Sequence, residues 1–572
     1  MSPRFPLLDI ATVRREFPDP ADLLREIDHR ITARGDDAVW IHRAPLEELL
    51  ASIPADSSLP LYGLPFAVKD NIDVAGWPTT AACPEFSYLP KEDAGVVARL
   101  RALGAIPIGK TNLDQFATGL NGTRSPYGAP RSVFDERFIS GGSSSGSAVA
   151  VAAGLCTFSL GTDTAGSGRV PAAFNELIGL KPTKGALSTR GVVPACRSLD
   201  CVSIFAISVS DAQAIFAQAR AFDSADGFSR PWVPANGTIH RIGIPREDQL
   251  EFCGDDAMRA LFATARERCA ALGYEIVEID FAPFRDTATL LYAGPWVAER
   301  TAAVGEYLDT HPEVGHPVVR QIVSSGKKFS AIETFRASYE LARLRRLVEQ
   351  EWRKMDALLL PTAPTIYTVE QMLADPVQLN SNLGLYTNFV NLLDLSGLAV
   401  PAGFRPDGLP LGVTFLGPAF ADDVLAQLGA QFLGEPVPKV AATEVLLSVV
   451  GAHLSGQPLN HQLTSRGGKL VKTCRTAPDY RLYALANTKP AKPGLVRAPG
   501  FTGPGIETEV WSLSTAAFGS FVAETPAPMG IGTAILEDGS VVKGFLCETA
   551  ALDGAKEITE FGGWRGYLQS LK

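Results

Sequence analysis

Residues 139–181 read ISGGSSSGSAVAVAAGLCTFSLGTDTAGSGRVPAAFNELIGLK, and this stretch constrains the fold more than any other. A Gly/Ser-rich segment is ordinarily a flexible linker. Here, however, the polar run opens directly onto the apolar residues 148–154 and a strand-like run at 156–161. Small residues that lead straight into packed segments serve backbone geometry, not flexibility. The second small-residue run, 161–168, leaves that strand and enters Arg169-Val170-Pro171. A tight glycine turn after a strand aims consecutive N–H groups into one cavity, as stabilising an oxyanion requires. A serine at its end could be a nucleophile, provided a base is at hand. No histidine lies nearby, but Leu64-Pro-Phe-Ala-Val-Lys69-Asp70 places a lysine at the end of an apolar run. Desolvation lowers a lysine's pKa, so a buried Lys69 can be neutral and accept a proton. A lysine at a strand end is also commonly a surface residue, and from these residues alone both readings stand.

The flanking pattern sets the fold class. Residues 93–103 read as a helix stopped by Gly104 and followed by a strand at 105–109. The scheme repeats as a helix at 257–272, Gly273 and a strand at 274–279, and again as a helix at 331–354 and a strand at 357–360 ending at Pro361. This alternation predicts an α/β domain, a mixed sheet flanked by helices. Past Gly434 the pattern changes. A Pro-bearing linker at 434–443 precedes strand-like runs at 445–450, 480–485, 509–513 and 534–546, the last broken by a hairpin signal, Asp538-Gly539. At 572 residues the chain exceeds what one core usually supports. The expectation is two domains, 1–440 and a smaller α+β domain at 441–572.

Two motif matches fail on context. Gly104-Ala-Ile-Pro-Ile-Gly109-Lys110-Thr111 satisfies the P-loop expression, yet that loop must follow a strand and open a helix. Here a helix precedes it and the supposed loop is itself strand-like. Gly142-Ser-Ser144-Ser-Gly146 satisfies GxSxG, but the nucleophile elbow follows a buried strand, and SVFDERFIS is too polar to be one. Composition removes further classes. The net charge of −10 supplies no field for nucleic acid. Eight scattered cysteines without CxxC, and seven histidines without HExxH, give a zinc site little support. The N-terminal residues carry charges where a signal peptide needs an apolar core, and no apolar run is long enough to span a bilayer. A reduced, soluble, cytoplasmic protein is expected.

The ordered motifs resemble the amidase signature family across roughly residues 55–435. They are Gly63-Leu-Pro-Phe-Ala-Val-Lys69-Asp70-Asn71, Gly109-Lys-Thr-Asn112, Gly141-Gly-Ser143-Ser144-Ser-Gly-Ser, Gly161-Thr-Asp163-Thr-Ala-Gly-Ser167, Gly179-Leu-Lys-Pro-Thr183 and Gly408-Leu-Pro-Leu-Gly412. Ser145 departs from them, standing where many members carry glycine. The resemblance implies Lys69 as base, Ser143 as a bridging serine in a cis peptide, and Ser167 as nucleophile. It also implies an oxyanion site built from the N–H groups of Thr164, Ala165 and Gly166.

Residues 114–128 (DQFATGLNGTRSPYG) and the extra C-terminal domain are similar to the allophanate hydrolase branch of that family. That branch hydrolyses the terminal amide of urea-1-carboxylate during urea degradation, without a cofactor. By this resemblance Tyr292 and Arg300 hold the substrate carboxylate. Eight residues apart on one helix is about 80° of rotation, which lets both reach one cavity. A backbone group at Gly119 completes the pocket, with Gly122 a competitor and a plain turn glycine the bland alternative. Residues 450–460 resemble the start of the branch's second domain, related in fold to γ-glutamyl cyclotransferases. In some relatives that domain is proposed to assist decarboxylation, in others to serve assembly; His453 is the candidate for a chemical role. The resemblance further implies a homodimer, and coupling to urea carboxylase or another allophanate-producing enzyme. Three alternatives are the amidase subunit of a tRNA-dependent amidotransferase, a general small-amide amidase, and a scaffold with an inactive core; the intact Lys69/Ser143/Ser167 set argues against the last.

Overall fold

In the computed structural model, which describes residues 5–233, 237–438, 444–486 and 488–572, the chain forms two compact units, Met1–Pro438 and Lys439–Lys572. The boundary expected at 440/441 lies outside the described residues. The alternating pattern of the first unit becomes one mixed sheet. Its strands are β1 (Trp40–Arg43), β2 (Pro65–Lys69), β3 (Ile106–Thr111), β4 (Phe158–Asp163), β5 (Ile178–Lys181), β6 (Cys201–Ala206), β7 (Arg241–Pro245), β8 (Glu275–Ile279), β9 (Ala357–Pro361), β10 (Leu395–Phe404) and β11 (Pro410–Pro418). They lie in the order β1-β3-β2-β4-β6-β5-β10-β11-β9-β7-β8. β2 runs parallel to β3 and β4, and β7 to β8 and β9; the central strands are antiparallel.

Burial on both faces explains the near-continuous apolar runs. Every residue of β2, β3 and β4 is buried. Phe66 and Phe158, opposite one another on β2 and β4, stack at 5.0 Å, each contributing about 1.5–3 kcal/mol by burial. The Gly/Ser run opens a helix, Ser145–Ala152, that is buried all round; only side chains this small let a helix sit so closely among strands. Both rejected motifs are explained in place. The P-loop string is β3 itself, preceded by the helix Gly95–Ala102, and Lys110 forms a fully buried ion pair with Asp70 at 3.0 Å. The GxSxG serine, Ser144, is the residue before the helix Ser145–Ala152 and follows no strand.

The second unit has its own core, including Leu447, Tyr480, Trp511, Phe521 and Trp564. Its strands are β12 (Glu444–Val449), β13 (Lys469–Arg475), β14 (Tyr480–Ala484), β15 (Pro493–Arg497), β16 (Glu507–Ser514), β17 (Met529–Ile535), β18 (Val541–Cys547) and β19 (Lys556–Glu557). They form a five-stranded sheet, β13-β16-β12-β18-β17, and a three-stranded sheet, β15-β14-β19. Asp538-Gly539 turns the β17–β18 hairpin, with Gly539 at φ 80°. Among the described residues no helix is long and apolar enough to cross a membrane.

Candidate active site

Lys69 ends a buried strand, and its Nζ donates to Ser143 Oγ at 2.7 Å and to Thr162 Oγ1 at 2.7 Å. The parallel pairing that sets Val68 opposite Leu160 brings Thr162 alongside Lys69. Burial pushes the Lys69 ammonium down to about 7, against the fields of Asp114, Asp200 and Asp163. With its pKa brought that low, the amine has an appreciable neutral fraction near pH 7, and in that form it can accept a proton. The Gly142–Ser143 peptide is cis, and the Ser143 carbonyl accepts the Asp114 N–H at 3.0 Å.

The glycine turn leaving β4 is organised by Asp163. Its carboxylate accepts the N–H of Gly166 at 2.9 Å, that of Gly168 at 3.0 Å, and the Nε and Nη2 donors of Arg169. Burial opposes ionisation of this carboxyl, and Arg169 outweighs it, holding the pKa below the ordinary value. Gly166 has φ 131°, and a Cβ there would stand 2.5 Å from Thr387 Oγ1, so only glycine fits. The N–H groups of Thr164 and Ala165 make no hydrogen bond among the described residues, nor does that of Ser167. Gly166 therefore differs from its expected role: its N–H is already given to Asp163, and Ser167 offers the third unengaged donor. Thr164 is anchored through its hydroxyl, which donates to Asp200 Oδ1 at 2.5 Å.

Tyr292 and Arg300 meet, but not on one helix. The helix Ala282–Tyr292 ends, and a second, Val297–Thr310, begins beyond Gly294-Pro295. Proline has no N–H to donate and disfavours helical backbone in the residue before it. Across this break Arg300 Nη2 donates to Tyr292 Oη at 3.2 Å. Arg300 Nη1 donates to Thr118 Oγ1 at 2.8 Å and the Ala117 carbonyl at 3.3 Å. Arg300 is buried, 2% exposed. Of the two candidate glycines, Gly122 gives its N–H to Asp114 Oδ2 at 3.0 Å, whereas that of Gly119 is unengaged among the described residues. A Cβ on Gly119 would lie 2.5 Å from Asp114 Oδ2.

His453 belongs to the second unit. Its Nε2 pairs with Gln462 Oε1 at 2.8 Å, and its ring stacks on Phe545 at 5.0 Å and meets Phe521 edge-on at 5.1 Å. Burial lowers the imidazole pKa, the Gln462 bond pulls the other way, and Lys492 reinforces burial. It lines a cavity of about 190 Å³ with Gln462, Lys492, Phe521 and Phe545. Sequence reasoning does not single out Thr162, Asp200 or Arg124. Thr162 lies within the Gly161–Ser167 motif, and strand register is the signal that marks it.

The Amidase family matches residues 33–425, and the Allophanate hydrolase C-terminal domain matches residues 445–569. Urea amidolyase of Saccharomyces cerevisiae is 44% identical over 94% of this chain. The chain spans only 31% and 32% of the length of the two urea amidolyases it resembles. A glutamyl-tRNA(Gln) amidotransferase subunit of Streptococcus pneumoniae is 34% identical, covering 67% of this chain and 84% of its own. The structure of Kluyveromyces lactis allophanate hydrolase superposes with a TM-score of 0.73 at 41% identity, covering 98% of each chain. The motif order, the lysine–serine pair on a buried mixed sheet and these matches agree: the chain belongs to the amidase family and carries an allophanate hydrolase C-terminal domain.

Proposed function

We propose that this chain is an allophanate hydrolase, which hydrolyses the terminal amide of urea-1-carboxylate to ammonia and N-carboxycarbamate. The observation that carries the reading is Arg300: a buried guanidinium joined to Tyr292 Oη at 3.2 Å in a chain of the amidase family. Such a group selects a small carboxylate by charge-assisted hydrogen bonds. In this reading neutral Lys69 takes the Ser143 proton as Ser143 takes that of Ser167, and Ser167 Oγ attacks the amide carbon. The N–H groups of Thr164, Ala165 and Ser167 stabilise the oxyanion, each lowering the barrier by about 3–4 kcal/mol. The proton returns to the leaving nitrogen, ammonia departs, and water cleaves the acyl-enzyme to free Ser167. Tyr292, Arg300 and the Gly119 N–H hold the distal carboxylate.

Ammonia release from allophanate, malonamate and glutamine tests the assignment. Turnover of both carboxylates with little from glutamine supports it; preference for glutamine would make the chain part of an amidotransferase, the reading favoured by the 34% identity to those proteins. Arg300→Gln is expected to raise KM for allophanate about 10- to 100-fold, the weight of one or two hydrogen bonds to a charged group, measured by steady-state kinetics.

The cavity at His453 supports a role for the second unit after the first hydrolysis. In the full chain, His453→Ala is expected to leave the first ammonia unchanged and to slow carbon dioxide release, the two products being followed separately. Unchanged carbon dioxide release would assign the unit to assembly. A cytoplasmic homodimer acting on the product of urea carboxylase or another allophanate-forming enzyme completes the proposal. The share of the urea amidolyases that this chain leaves uncovered accords with such coupling.

A further inference from the structure

Arg124 has no part in the chemistry above, yet it is placed for one. It is buried, 2% exposed, on the segment that follows Gly119. Its Nη1 donates to the Thr118 carbonyl at 2.9 Å and its Nη2 to the Pro376 carbonyl at 2.5 Å. Its Nε is a buried polar atom with no hydrogen-bond partner. Thr118, which receives Arg124 at its carbonyl, also receives Arg300 at its hydroxyl. Two guanidinium groups therefore converge on one residue.

Of the other buried cations, Lys110, Arg169 and Arg30 are paired with Asp70, Asp163 and Glu26, whereas Lys181 gives its Nζ to the Pro182 carbonyl. Among the described residues neither Arg124 nor Arg300 has such a partner. The carboxylate closest in sequence, Asp114, is occupied by the N–H groups of Asn121, Gly122 and Arg124. Arg124 and Tyr292 line one cavity of about 330 Å³, together with Asn380 and Asn388, whose Oδ1 is also unpartnered; Arg300 stands behind Tyr292, bonded to its Oη, and does not line this cavity. A buried cation with an unused donor, beside a second cation and a phenol, lacks an anionic acceptor.

Resting on the reading of this chain as a carboxylate-selective amidase, we propose that Arg124 is a second carboxylate-recognising residue of the substrate cavity, donating its Nε–H to the anionic end of the substrate beside Tyr292 and Arg300. Two cations around one terminus explain how a protein of net charge −10 selects a small anion. The ligand class is a short amide ending in a carboxylate.

Malonamate and malonamide differ only in that terminal group, so the ratio of their kcat/KM values isolates its recognition. In the wild-type protein the ratio is expected to favour malonamate strongly. Arg124→Gln is expected to lower it at least tenfold, chiefly through KM for malonamate; a smaller fall overturns the proposal. Arg124→Lys serves if Arg124→Gln does not fold, since it keeps the charge and gives up the Nε donor. There a fall of threefold or more supports the proposal and a lesser one overturns it. A wild-type protein that does not prefer malonamate overturns both this inference and the carboxylate reading beneath it, whereas a wild-type preference untouched by substitution overturns this inference alone.

Discussion

Ser167→Ala is expected to lower kcat for ammonia release by roughly 10⁴-fold or more, the scale seen when an acyl-transfer nucleophile is removed, while the protein keeps its fold. Both halves follow from the position of the side chain. The Ser167 hydroxyl makes no hydrogen bond among the described residues, so its loss leaves no buried partner unsatisfied. The turn around it is held by the Asp163 carboxylate through Gly166, Gly168 and Arg169, none of which the substitution touches. An unchanged circular dichroism spectrum and melting temperature, with no acyl-enzyme detectable by mass spectrometry, would complete the result. Wild-type-like kcat in this variant would remove Ser167 from the mechanism.

The second large effect concerns Lys69 and has a pH signature. The proposed base works only when neutral, and burial sets its pKa at about 7. Below that value the protonated fraction grows, so kcat/KM falls by about tenfold per pH unit; above it the profile is flat. An ordinary lysine, titrating near about 10.4, would be neutral in fewer than about one molecule in a thousand at pH 7. Lys69→Arg is the sharpest variant. It retains the hydrogen-bonding reach toward Ser143 and Thr162, but a guanidinium stays protonated at any accessible pH. Activity is expected to fall by about 10³-fold or more with no recovery on raising the pH to 9. A profile still rising steeply above pH 8 in the wild-type protein, or an active Lys69→Arg, would transfer the base role elsewhere.

Much of the architecture was legible in residue order because it depends on local chemistry. The Asp538-Gly539 pair favours a hairpin wherever it stands between β-prone runs, and the hairpin β17–β18 forms there. The helix expected at 331–354 appears as Ala331–Trp352, capped by the reciprocal bonds of Ser330 and Glu333. The single helix expected to carry both Tyr292 and Arg300 is absent for an equally local reason: Gly294-Pro295 stands between them and interrupts it. The two side chains meet nonetheless, because packing across the break replaces helical phase.

Other features have no local signature. Lys69 reads as a strand end whether its strand is central or at an edge; only its neighbours β3 and β4, contributed by distant segments, bury it. The same holds for Arg124, whose acceptors lie at Thr118 and at Pro376, 252 residues away in the second case.

By itself, the sequence determined the motif set, the alternation that builds a mixed sheet and the presence of a second domain, since these rest on turn chemistry, periodicity and residue type. Tertiary structure decided which lysine burial brings down to about 7, which N–H groups of the glycine turn remain unengaged, and which two arginines meet at Thr118. Desolvation and hydrogen-bond occupancy are properties of what surrounds a group in space, and chain order does not contain them until the sheet has closed around Lys69.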